Sequence, residues 1–186
     1  FQVARELWQP GDAVGEQNHA NDWGQYGDLQ LGDLERSKLW IERAAQTLSE
    51  NPNDRRSQGT LNTVKARHII ESEEWQIQPL SNDLSGDQLV ALGLSAANLN
   101  DHDLIAAVAN RLRELLEDSP NNRSLKIGFR EISALSLLSE SSTASEEKAL
   151  SLLNEAVEIA DNGPLPRGAA SPLKPAHEMA GDVYLQ

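Results

Sequence analysis

The chain has 186 residues and a formal net charge of −13, with sixteen Lys and Arg against twenty-nine Asp and Glu. That balance argues against a nucleic-acid partner, because phosphate binding draws on clustered cations. Cysteine is absent, which removes disulfides, thiolate chemistry and cysteine-held zinc or iron–sulfur centres; aromatics are only 4%, so Leu, Ala, Ile and Val must build any core.

Residues 1 to 18 are mixed, with "VARELW" reading as a short helix and Pro10, Gly11 and Gly15 as breakers. The chain starts at Phe1 without methionine or a signal-like segment, which reads as a processed or excised product. A helical pattern runs from Asn18 to Leu31 and closes at Gly32-Asp33. A second runs from Leu34 to about Ser49 on a stripe of Leu39, Ile41, Ala44, Ala45 and Leu48, and "NPND" stops it. A third covers about Ser57 to Glu73 with Leu61, Val64, Ile69 and Ile70. Pro79 and Gly86 then break the regularity. Helices are predicted at Asp87 to Leu99 and at Leu104 to about Glu117, the latter amphipathic through Leu104, Val108, Leu112 and Leu115 and stopped by "SPNN". The last complete pair is predicted at 124–139 and 144–160, with Ser145, Glu146 and Glu147 setting acid into the first turn of its second helix. No strand alternation of useful length occurs, so the class is all-α. No run of about eighteen apolar residues occurs either, so nothing reads as a bilayer span.

Spacing adds an architecture. Pro52 and Pro120 lie 68 residues apart, as do Gly32 and Asn100, each pair in equivalent turns. That offset is two of the roughly 34-residue helix–turn–helix periods of tetratricopeptide repeats. "GDLERSKLWIERAA" has the turn Gly32-Asp33, small Ser37, bulky Ile41 and then Ala44. "EEKALSLLNEAVEIADNGP" repeats that logic with Ala149, Leu153 and Ala156, and "AGDVY" offers Ala180, Gly181 and Tyr184 as a first-helix pattern. Together with "HANDWGQYGDLQLGD", "ARHIIESEEW" and "LKPAHEMAGDVYLQ", these segments resemble a group of bacterial tetratricopeptide-like proteins without an assigned activity. The resemblance covers most of residues 19 to 186. It implies a right-handed α-solenoid of helix pairs: a leading stub over 1–18, repeats over 19–160 with an irregular second one, a Pro/Gly-rich loop over 161–174, and at 175–186 the first helix of a further repeat. It also implies that the chain is part of a longer protein.

Such arrays dock peptides or partner helices on the concave face made by the first helix of each pair. Alignment on the turns puts Asp22, Tyr26 and Gln30 there in the first unit, Thr63, Arg67 and Glu71 in the second, Asn98 in the third and Arg130 in the fourth. Arg67, Tyr26, Asn98 and Gln30 are expected to fix the backbone and termini of a bound segment. The expected function is therefore a protein- or peptide-binding scaffold, without catalysis, cofactor or metal, and a basic partner would suit the net charge. Histidines 19, 68, 102 and 177 lack the close spacing of a helical zinc site, and "GPLPRG" and "GDAVG" lack the strand–turn–helix setting of phosphate loops. The tryptophans at 8, 23, 40 and 75 read as plugs between helices. Two rival readings follow from the same residues. One is a fragment of an enzyme or metal-binding protein whose active residues lie largely outside this chain, tested at His19 and His177. The other is self-association through Pro175 to Gln186, where Met179, Val183, Tyr184 and Leu185 seek cover.

Overall fold

The computed structural model describes residues 2–9, 12–164 and 168–185. Among them lie nine α-helices and no strand, the all-α class that the periodicity predicts. Helices that follow one another in sequence pack together in pairs. The chain divides into two compact units, Phe1–Glu74 and Trp75–Gln186.

The first unit holds α1 (Gln2–Leu7), α2 (Gly15–Gln30), α3 (Leu34–Glu50) and α4 (Arg55–Ser72). The turns are set by local chemistry. Gly32 takes a φ of 73° between α2 and α3, a conformation that glycine adopts without a Cβ penalty. Asp33 then caps α3 by accepting from the Arg36 N–H, and Asp54 caps α4 by accepting from the Ser57 N–H, each cap contributing about 1 kcal/mol. The α3–α4 seam is apolar, built on Ala44, Leu61 and Val64 with Ile41, Ala45 and Leu48 against them.

Helix α2 is different. Its buried positions are Gln17, Asn18, Asn21, Gln25, Asp28 and Leu29, so five of the six side chains it turns inward are polar. Trp40 of α3 lies across it and donates its indole N–H to Asp28 Oδ2 at 2.6 Å. The ring sits where a Cβ on Gly24 would be. Gly24→Ala is therefore expected to destabilise the unit by about 1–3 kcal/mol. Gly27→Ala on the same helix meets nothing within 4 Å and is expected to stabilise by about 0.5–1 kcal/mol through helix propensity. Urea unfolding of the two variants separates the effects, and equal stabilities would place Trp40 elsewhere.

The second unit holds α5 (Gly86–Asn98), α6 (His102–Asp118), α7 (Arg123–Leu138), α8 (Thr143–Asp161) and α9 (Ala176–Tyr184). Ser85 and Gln88 form a reciprocal capping box on α5, Asp101 caps α6 and Asn122 caps α7. Ser142 caps α8 by accepting from the Ser145 N–H, Ser145 itself is buried, and Glu146 lies in the first turn as expected. Helix α5 is buried along nearly its whole length, from Leu89 through Ala96. It packs on α7 through two glycines: a Cβ at Gly93 would lie 2.8 Å from Ile132 Cδ1, and one at Gly128 2.6 Å from Val90 Cγ2. Ile127 of α7, Ala156 of α8 and Ala176 of α9 form a further core.

The predicted irregularity after α4 is an extended stretch. From Trp75 to the turn before α5 the chain forms no helix, because Pro79 supplies no N–H and restricts the residue before it. The stretch is pinned at both ends: the Gln76 N–H donates to Ser95 Oγ at 3.3 Å, and Arg111 Nη2 donates to the Asn82 carbonyl at 2.9 Å. No helix among the described residues is long and apolar enough to cross a membrane.

Candidate functional site

Three of the eight expected contact residues come together. Asp22 and Tyr26 lie one turn apart on α2, and Arg67 of α4 reaches both. Its Nη2 donates to Asp22 Oδ1 at 2.6 Å, and its Nη1 donates to the Asp22 carbonyl and to Gln25 Oε1, each at 3.2 Å. The guanidinium carbon stands 5.9 Å from the Tyr26 ring centroid, within cation–π reach. Gln25 completes the knot by donating Nε2 to the Val64 carbonyl at 2.6 Å. The knot joins α2 to α4 without α3.

Burial sorts the roles. Arg67 is 2% exposed, and Asp22, Gln25 and Tyr26 occupy much of its bonding capacity, so it acts as a strut and not as a free anchor for a ligand. The Asp22 side chain is 36% exposed and Tyr26 is half-buried. Gln30 continues the row of α2 one turn further and is exposed. On α4, Thr63 is half-buried and Glu71 exposed, one turn to either side of Arg67. Next to Tyr26 on the surface of α2 lies a feature the sequence reading missed. Trp23 is 45% exposed and tilts against His19, with ring centroids 5.6 Å apart. Trp40 is the helix plug that was expected; Trp23 is not, because Gly24 gives α3 its approach on the other side. The (i, i+4) spacing of His19 and Trp23 was the available signal.

The remaining two expected residues belong to the second unit, and no hydrogen bond or ion pair joins them. Asn98 is exposed at the end of α5 and donates to the Leu94 carbonyl of its own helix at 3.0 Å. Arg130 on α7 turns toward α8, pairing Nε with Glu155 Oε2 at 2.9 Å and donating Nη1 to the Lys126 carbonyl at 3.1 Å. Glu155 in turn borders an open depression of about 450 Å³, together with Glu147, Asn154, Glu158 and Tyr184.

A second polar line crosses the first unit. Ser37 Oγ lies 2.9 Å from His68 Nδ1, and His68 Nε2 lies 3.6 Å from Glu74 Oε2. Hydroxyl, imidazole and carboxylate in that order suggest nucleophile activation. Ser37 and His68 are both buried, however, so no substrate reaches the hydroxyl. Burial pushes the His68 imidazole below its ordinary value, with Glu74 opposing. Glu74 is itself held ionised by Lys38 at 3.0 Å. The line fastens α3, α4 and the residues after α4 to one another. Among the described residues, no group of three or more His, Asp or Glu is placed to hold a metal ion.

No family model matches the chain, and comparison with curated proteins and with solved structures finds no match.

Proposed function

We propose that this chain is a protein- or peptide-binding scaffold, part of a larger protein, made of tetratricopeptide-like helix pairs stacked as a right-handed α-solenoid. The reading rests on the 68-residue recurrence of turns and on helix pairing along the chain. It also rests on the burial of the small positions Ser37, Ala44, Ala149 and Ala156 where neighbouring helices meet.

The observation that carries the binding proposal is the Arg67 knot. A buried guanidinium holds Asp22 and Tyr26 in fixed positions at the junction of α2 and α4. Tyr26 stands there, the exposed Trp23 lies three residues before it on α2, and Asp22, Gln30, Thr63 and Glu71 are polar positions on the same two helices. Aromatic anchors that are already ordered lose little entropy on binding, and polar neighbours give direction to a peptide backbone. The net charge of −13 favours a segment that carries Lys or Arg. Asn98 and Arg130 are separate positions in the second unit, and Arg130 is already paired with Glu155.

A displayed library of short peptides, selected on the purified chain, tests this. Enriched sequences are expected to bind the Tyr26→Ala variant at least about tenfold more weakly, the loss typical of an aromatic hot spot. Peptides that bind Tyr26→Ala and Trp23→Ala as tightly as the parent would refute the assigned face.

A further inference from the structure

The second unit buries a carboxyl: Glu131 of α7 is 1% exposed, and among the described residues neither of its oxygens has a hydrogen-bond partner. It lies one turn beyond Ile127, whose side chain packs with Ala156 of α8 and Ala176 of α9, and so it shares that helix face. The buried faces that α5, α6 and α8 contribute carry Leu, Ile, Val, Ala, Gly and Ser and no charge. The charges that act on Glu131 come from α9 and the residue before its cap: Lys174 attracts and Glu178 repels.

Lys174 does not pair with Glu131. Its ammonium is held 2.5 Å from Glu178 Oε1 and 2.7 Å from Asp182 Oδ2, both on α9. Helix α9 has nine residues and no side-chain cap, too short to persist without packing. Its seat is made by Leu173, Ala176, Met179 and Ala180, three of which are small or medium side chains. Of the elements around Glu131 it is the one with least to hold it in place.

We propose that α9 is a latch on the α7–α8 pair, closed while Glu131 keeps its proton and released when that proton leaves. A carboxylate in an apolar seam needs water or a cation. The nearby cation is committed to α9's own carboxylates, so hydration through movement of α9 is the cheaper response. Burial pushes the Glu131 carboxyl up to about 8, so the strain on the closed form builds from the ordinary carboxyl range and is complete by about that pH. The latch rests on the second unit alone and is independent of the α2–α4 face.

Met179 is the single methionine of the chain and is buried in the seat of α9, so one carbon-13 methyl resonance reports the latch. As pH rises from about 4.5 to about 9.5 that resonance is expected to move from a packed to a solvated position, with its midpoint no higher than the Glu131 value. In Glu131→Gln, which has no proton to lose, it is expected to stay packed throughout. In Lys174→Gln the midpoint should stay or fall, because the closed form loses the charge that eases its carboxylate; this variant carries the test if Glu131→Gln does not fold. A methyl that stays packed in the parent chain, that moves equally in Glu131→Gln, or that shows a raised midpoint in Lys174→Gln would overturn the latch.

Discussion

Asp22→Ala is expected to destabilise the first unit by about 2–4 kcal/mol, and Arg67→Met by less, about 1–2 kcal/mol. The asymmetry follows from which partner is left behind. Removing the Asp22 carboxylate strands a guanidinium that is 2% exposed, with Gln25 Oε1 and the carbonyl of residue 22 as its remaining acceptors. Breaking a fully buried pair in this way costs about 3–5 kcal/mol; the lower figure allows for Asp22 being 36% exposed and partly screened by water. Removing Arg67 leaves a half-solvated carboxylate that water can satisfy and one neutral buried acceptor, Gln25 Oε1, while the methionine fills much of the space. Urea unfolding of both variants measures the difference. Equal losses would mean that the knot is held by its packing rather than by its charges. The pair of variants also separates stability from recognition, since Arg67→Met should fold well yet leave Tyr26 less ordered.

Glu131→Gln is expected to stabilise the second unit at about pH 8 by up to about 4 kcal/mol, and to change little near pH 4.5. Burial raises the folded-state value from 4.5 to about 8. The protonated carboxyl of the folded chain thus contributes stability that is fully present below the unfolded value. That contribution is lost as pH rises toward and through the folded one, at about 1.4 kcal/mol per pH unit. Glutamine keeps the shape and has no proton to give up, so its stability profile should be flat over that window. Release of α9 limits the effect, because the chain loses no more than the docking free energy of that helix before the carboxylate reaches water. Thermal unfolding across the pH range measures it. A difference between the two chains that does not vary with pH would assign the effect to packing.

Much of the fold was legible because its punctuation is local. Asp33, Asp54, Asp101 and Asn122 cap helices from positions adjacent to them, and Pro52, Pro79 and Pro120 interrupt helices through their own covalent structure. The small residues at 37, 44, 149 and 156 are all buried, and they were marked by spacing within single helices. Helix α2 was harder. With Ala20, Trp23, Tyr26 and Leu29 as its apolar residues past Gly15, it offers no stripe that could face a core. The consequence, that Gln17, Asn18, Asn21 and Gln25 must be buried, follows only once the partners on α3 and α4 are known.

The site was legible as a row and not as a set of roles. Asp22, Tyr26 and Arg67 were picked from helical spacing, but the ion pair between residues 45 positions apart makes Arg67 a support for the others. No local pattern distinguishes an arginine that waits for a ligand from one already bonded within the fold. Arg130 is the same case, directed to Glu155 on the neighbouring helix. Glu131 escaped attention altogether, since one more glutamate in a chain with twenty-nine acidic residues carries no signal until its burial is seen.

The central claim is that the α2–α4 face receives a peptide, and the indole N–H resonances of the four tryptophans test it most directly. Nitrogen-15 spectra would be followed while a library-selected peptide is added. The Trp23 resonance is expected to shift saturably, while Trp40, held to Asp28 on the far side of α2, stays in place along with Trp8 and Trp75. A Trp23 resonance that remains fixed while the peptide binds would contradict the account.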